Sequence, residues 1–436
     1  MHLSCMIAAV LFALCSAANL LPAADSPRAA DSPPEASTQP AALPIITLQE
    51  ALRRAGERNV PLRQAAADID RVYGLLREIR SQSFPTLVGN ASYTHLDHDR
   101  RLNGILLAGQ NQIGANATIS VPLFAPSRWA AWSHAHENAE VARLAFADIR
   151  RDQAIAVARA YITVLSRHRL LEARQQAFVN SQGHEHYAHI RFEGGKGTRL
   201  DDIRAQQELA SSTQELNQSV ADLTRAQEAL GALIGDEAPL DASQEPALPL
   251  PGDITDSEKL RQDVAHQVAV THAAEHVARD WWTDLLPFVT ASFFPFYQNP
   301  PTTTVPQTGY EGLISLTWSL YDGGLRYGYR QEHRAQAEQQ RLELEGLVRQ
   351  ARSEIRTSYR DVVQADEALR AARTAAQLAQ QALDLSNLAY RAGAVDNLAV
   401  IDAERAQRDA ATAAATAGDD AMEARLDLLA ASGKFP

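Results

Sequence analysis

Two periodicities divide this chain. Ile113, Ala115, Ala117, Ile119 and Val121 alternate with Gly114, Asn116, Thr118 and Ser120, the period of a strand with one apolar and one polar face. Ile314, Leu316, Trp318 and Leu320 alternate in the same way with Ser315, Thr317 and Ser319. A less regular run precedes each, about Thr86 to Thr94 and Phe288 to Phe296, after a proline turn at Ser83-Phe84-Pro85 or Leu285-Leu286-Pro287. Proline ends a helix and favours extended chain there. Each run approaches the 9 to 11 residues that a tilted membrane-spanning strand needs, at about one span apiece.

Elsewhere the period is helical. The runs from about Ser127 to Glu193 and from about Gly323 to Arg391 would each extend about 100 Å at the rise of an α-helix. In the second, Leu344, Val348, Ala351, Ile355, Tyr359, Val362, Ala365, Leu369, Ala372, Ala376, Ala379 and Leu383 step by threes and fours, near the period of a coiled-coil seam. An extended soluble coiled coil would explain these helices but not the strands.

The pattern is stated twice. RFEGGKGTRLDDIRAQQELA from Arg191 and AYRAGAVDNLAVIDAERAQ from Ala389 each run a helix into an aromatic residue, break it at glycine and restart it, with Phe192 and Tyr390 198 residues apart. Each half opens on T-x-x-E, Thr47 to Glu50 and Thr255 to Glu258, the signature of a reciprocal N-terminal cap. A duplicated unit must be read in pairs. The expected organisation is a first repeat over 44–235, a proline-rich linker over 236–255 and a second repeat over 256–436. Shorter helices over about Thr47 to Ser83 and Thr198 to Gly235, with their repeat partners, are expected to stack end to end beside the long ones.

Composition narrows the function. The 436 residues carry a net charge of -12, and nothing resembles the basic stripe of a nucleic-acid binder. Residues 1–24 read as a secretory signal and 25–43 as a flexible leader. Both cysteines, Cys5 and Cys15, fall in the signal. Lipidation at Cys15 would want a small residue where Leu14 stands. No other segment reaches the apolar length of a membrane-spanning helix, so insertion would use strands.

Tryptophan placement agrees. Trp129 and Trp132 follow the second strand, Trp281 and Trp282 precede the third, and Trp318 sits near the end of the fourth, with Phe84, Phe124 and Tyr321 at the same level. Trp and Tyr favour the membrane–water boundary. Four strands close no barrel, and open edges are not tolerated in lipid, so the strands would have to be shared among protomers.

The junction Leu320-Tyr321-Asp322-Gly323-Gly324, the duplicated hairpin tips and the alanine-rich helices resemble the TolC-type outer-membrane efflux family over nearly all of 45–434. The resemblance implies a mixed α and β membrane protein: a homotrimer sharing one twelve-stranded transmembrane β-barrel, four strands per protomer, continued by a periplasmic tunnel of long α-helical hairpins. It implies an outer-membrane exit duct of a tripartite efflux or type I secretion system, set in outer-membrane lipid. The expected partners are a periplasmic membrane-fusion adaptor and an inner-membrane RND or ABC transporter. Asp97 to Gln110 and Gln298 to Gly309 become extracellular loops. A periplasmic coiled-coil adaptor or scaffold is the alternative. No enzyme, cofactor or metal constellation is read; GGKGT at Gly194 to Thr198 has the wrong spacing for a phosphate loop.

The same resemblance assigns site residues. Phe192, Gly194, Gly195, Gly197, Thr198, Tyr390 and Gly393 become adaptor-docking tips. Asp201 and Tyr390 match a pair that hydrogen-bonds between neighbouring tip helices in the closed state, and Asp402 matches a carboxylate ring at the constriction. Ala399 stands where a second ring would be, and Val395 where a basic latch would be. Trp129, Trp132, Trp281, Trp282, Trp318 and Tyr321 become membrane-interface aromatics. From spacing alone, Asp201 is also a capping residue after Thr198, Asp396 is an N-cap, and His184, His186 and His189 are solvated surface histidines rather than a metal trap.

Overall fold

The computed structural model describes residues 43–435 apart from 103, 243, 253–255, 303 and 304. The signal, nearly all of the leader, both cysteines and the Thr255 cap lie outside the described residues. In the first half, β1 (Ile45–Ile46) leads into α1 (Leu48–Arg58) and α2 (Val60–Ser81). Strand β2 (Thr86–His95), a small hairpin of β3 (Arg100–Leu102) and β4 (Ile105–Ala108), and β5 (Asn111–Phe124) follow, then α3 (Pro126–Glu193), α4 (Arg199–Ile234) and β6 (Asp241–Ala242). The second half runs from a 3-10 turn (Ser257–Leu260) through α5 (Gln262–Arg279) and a second 3-10 turn (Asp280–Leu285). It continues with β7 (Phe288–Asn299), β8 (Thr308–Thr317), α6 (Leu325–Arg391) and α7 (Asn397–Ala431).

The single short helix expected from Thr47 to Ser83 is two helices. Asn59 leaves the helical region (φ −58°, ψ 127°), accepts the Leu62 amide at 3.2 Å and donates to the Leu233 carbonyl at 2.8 Å. Asn59 thus closes α1 and caps α2, and Pro61 falls in the first turn, where its missing N–H costs nothing. The caps also differ from expectation. Thr47 accepts the Glu50 amide at 3.3 Å, but the Glu50 carboxylate is taken by Arg53 and Arg54. Glu258 lies in a 3-10 turn and holds Arg352 of α6 at 2.8 Å.

The main core sits at mid-height on α3. Val157, Tyr161 and Val164 pack with Ala51 and Ala55 of α1 and with Leu230 and Ile234 of α4, while Ile155, Ala158 and Ile162 on another face of α3 pack with Met422, Leu426 and Leu429 of α7. The proline-rich segment joins this core: Leu240 and Ala242 are buried in it, β6 pairs in parallel with β1, and the Tyr161 hydroxyl donates to the Gln244 carbonyl at 2.8 Å. On α6 the seam holds at Ala351, Ile355, Val362 and Leu383, all buried, but Tyr359 is 50% exposed. At about 100° per residue, Ser358 points within about 20° of Ala351 and Tyr359 about 80° away, so phase rather than polarity selects the seam.

Strands β2, β5, β7 and β8 form one antiparallel sheet in that order. Registered pairs share a face. Leu87 opposes Ile119, Ile119 opposes Phe293, Ala291 opposes Ile314 and Val289 opposes Leu316, which gathers the apolar positions on one side. The other side is mainly polar, with Asn90 donating to Asn116 at 3.0 Å. The outer edges of β2 and β8 have no partner strand among the described residues, and Ile314 and Leu316 are 72% and 63% exposed. The fourth strand stops at Thr317, short of Trp318 and Leu320, because the chain turns there: the Trp318 indole donates to the Leu285 carbonyl at 3.0 Å, and Gly323 and Gly324 both adopt positive φ. Among the described residues no helix is long and apolar enough to cross a membrane.

Candidate functional site

The two hairpin tips have the same backbone. After α3, Gly195 adopts φ +67° and the Lys196 amide returns to the Arg191 carbonyl at 2.8 Å; after α6, Gly393 adopts φ +76° and the Ala394 amide returns to the Ala389 carbonyl at 2.8 Å. A residue with positive φ stops each helix, and only glycine takes that conformation without strain. Thr198 then caps α4 and Asp396 caps α7, at equivalent places in the repeat. The Glu193–Lys196 and Arg391–Asp396 stretches are exposed.

Behind the exposed loops the hairpins are clasped. The Arg191 guanidinium lies 4.6 Å from the Tyr390 ring centroid and donates to the Tyr390 carbonyl at 3.2 Å. Tyr390 is buried, its ring against His184 and Tyr187 at 5.6 Å each. Asn397, also buried, accepts from His184 Nε2 at 2.8 Å through its Oδ1 and donates to the Asp201 carbonyl at 3.2 Å. His184 is therefore a buried bridging residue, not a solvated one, and burial holds its imidazole below the usual range. His186 is exposed, while His189 faces Asp202 at 3.1 Å and is raised by that carboxylate.

A charged layer lies one step further in. Glu208, buried on α4, receives Arg405 at 3.0 Å and Arg408 at 2.5 Å from α7. Arg408 also approaches Glu215, which pairs with Arg174 of α3. Glu404 is buried 4.0 Å from His184 Nδ1 with one carboxylate oxygen lacking a hydrogen-bond partner. Burial first, and the Glu208 charge second, push its carboxyl up to about 7. Sequence reading missed Arg191, Asn397, Glu208, Glu404 and Arg408. Only the i, i+4 spacing of Glu404 and Arg408 offered a local signal.

The residues assigned from sequence are distributed as follows. Asp201 completes the α4 capping box, its carboxylate accepting the Thr198 amide at 3.2 Å and hydroxyl at 2.7 Å. No hydrogen bond joins it to the Tyr390 hydroxyl within the chain. Asp402 is exposed on α7, and Ala399 occupies the place that Asp201 holds in the first repeat. Phe192 packs under the Arg199 guanidinium at 5.5 Å. The aromatics gather at the helix-facing end of the sheet: Trp129 meets Phe124 edge-on at 5.7 Å, Arg80 covers Trp132 at 5.1 Å and Arg330 covers Trp281 at 4.2 Å. Trp282, Trp318 and Tyr321 are exposed there.

The sequence model of the outer membrane efflux protein family matches residues 51–236 and 256–434. No match is found among curated proteins. The structure is similar to that of the outer membrane protein VceC of Vibrio cholerae (TM-score 0.73, 20% identity, 88% of this chain and 96% of that one). It is likewise similar to the CmeC outer membrane channel of Campylobacter jejuni (0.78, 14%, 95% and 94%). The open MtrE outer membrane channel of Neisseria gonorrhoeae is a third (0.75, 20%, 88% and 88%). With the family matched across both repeats, the chain belongs to the outer membrane efflux proteins, channels of the outer membrane whose long helices extend into the periplasm.

Proposed function

We propose that three copies of this chain close their sheets into one barrel and serve as a passive exit duct, with the hairpin tips as its periplasmic mouth. The observation that carries this is the sheet: four strands, one apolar face exposed and both edges open, mounted on helices of 68 and 67 residues. Exposed unpaired edges are not viable in lipid, and twelve strands from three protomers abolish them. The apolar face would then meet lipid, and the polar face the lumen. Trp129, Trp132, Trp281, Trp282, Trp318 and Tyr321 mark the boundary, where ring and arginine share the interface.

The tips Phe192 to Thr198 and Tyr390 to Leu398, exposed over Glu193–Lys196 and Arg391–Asp396, receive a periplasmic membrane-fusion adaptor, which links the duct to an inner-membrane RND or ABC transporter. The clasp around Tyr390 holds the mouth, with Asp201 anchoring α4 through its cap and three copies of Asp402 lining the constriction. Deleting Gly194 to Gly197 should abolish export while leaving the assembly intact, and undiminished export would place docking elsewhere. Asp402→Ala should reduce cation preference in planar bilayers, because a ring of like carboxylates concentrates cations by its field.

A further inference from the structure

We propose that His134, His276 and Asp280 bind a divalent first-row transition-metal ion of the zinc class, one per chain, which staples the two repeats together at the foot of the sheet. Their ligand atoms lie within 4.8 Å of one another. His134 Nε2 and His276 Nε2 stand 3.1 and 3.3 Å from the same Asp280 Oδ2. Around a tetrahedral ion with bonds of about 2.0–2.1 Å, ligand atoms are about 3.3–3.4 Å apart, so the three atoms already stand near a coordinating arrangement. The two imidazole rings meet edge-on at 5.2 Å and 79°.

A second observation is independent of those three atoms. His276 Nδ1 lies 2.6 Å from Glu137 Oε1. A carboxylate beside the far ring nitrogen favours the proton there and leaves Nε2 with its lone pair, the arrangement that backs a metal-bound histidine. The pair is close but not aligned as a hydrogen bond: His276 Nδ1 and the other Glu137 oxygen are both buried without a hydrogen-bond partner. Two imidazoles and one carboxylate suit zinc, copper or nickel, whereas calcium and magnesium prefer oxygen throughout.

The location gives the ion its role. His134 belongs to the first turns of α3 in the first repeat, about two helical turns in from its start at Pro126. His276 and Asp280 are four apart at the end of α5 in the second repeat, on one helical face, just before the chain enters β7. His272, a turn earlier with its ring 6.5 Å from that of His276, or water would complete the coordination. The histidines that spacing singled out, His184, His186 and His189, assemble no such group.

The test uses the full-length, untagged protein, purified in detergent, stripped with chelator and titrated with Co²⁺, followed by Zn²⁺ competition in a calorimeter. The proposal expects one equivalent per chain with the intense visible absorption of a four-coordinate cobalt site, displaced by zinc. His276→Ala and Asp280→Asn should each remove that saturable site while circular dichroism stays unchanged. Glu137→Gln should keep the stoichiometry and weaken affinity about 10- to 100-fold. No saturable equivalent in the natural protein would overturn the proposal. So would undiminished affinity in both His134→Ala and His276→Ala, since the metal would then be held by other residues.

Discussion

Arg191 clasps Tyr390 across the two hairpins, its guanidinium 4.6 Å from the ring centroid and 3.2 Å from the carbonyl. The contact is carried chiefly by the ring and the backbone carbonyl. Tyr390→Phe should therefore change closure little, while Arg191→Ala should loosen the mouth by about 1–2 kcal/mol, the size of a partly desolvated cation–π contact. Single-channel conductance in planar bilayers separates the two. A large effect of Tyr390→Phe would show that the hydroxyl has a partner in the assembled mouth.

Glu208 accepts two arginines while buried. Removing one partner of such a pair strands the rest, at a cost of about 3–5 kcal/mol. Glu208→Gln should therefore lower the thermal stability of the helical region far more than Glu185→Gln, a change near the tip end of α3 outside this network. Equal midpoints in the two variants would contradict the reading.

Glu404 sets a pH dependence with a definite sign. Its carboxyl is raised from 4.5 to about 7, so folding favours the protonated form. That contribution is complete below the unfolded value and is lost as pH rises through about 7. His184 acts oppositely: burial lowers it, so its contribution is lost as pH falls below its unfolded value. Glu404→Gln should remove the fall in stability between pH 4.5 and about 7, with a gain on the order of 2–3 kcal/mol at neutral pH and above. Thermal melts across pH check it, and an unchanged fall over that window in the variant would count against it.

Leu316 and Ile119 lie on the apolar face of the sheet. Arginine at either position should cost about 2–4 kcal/mol near the bilayer midplane and reduce assembled protein in outer membranes. Arginine at Thr118, on the opposite face, should assemble normally and alter conductance. Equal assembly of the Leu316 and Thr118 variants would place the wrong face toward lipid.

The long helices, the strands and the tips were legible because each is written in local periodicity and glycine punctuation, and written twice. The break at Asn59 was not, since it depends on a hydrogen bond to Leu233 far along the chain. Tyr359 was misassigned because polarity outweighed phase. The burial of Leu240 and Ala242 escaped a reading in which proline content implied a free linker. At the mouth, spacing identified Asp201 as a cap, but the Arg191, Asn397 and Glu208 contacts cross between repeats nearly 200 residues apart in sequence. No local pattern encodes such pairs.

The most direct measurement is the mass of the protein extracted in detergent from outer membranes, by native mass spectrometry or analytical ultracentrifugation. A shared barrel predicts three chains per particle, extraction only by detergent, and loss of the assembly in Leu316→Arg. A mature chain that is monomeric and soluble without detergent would contradict the account.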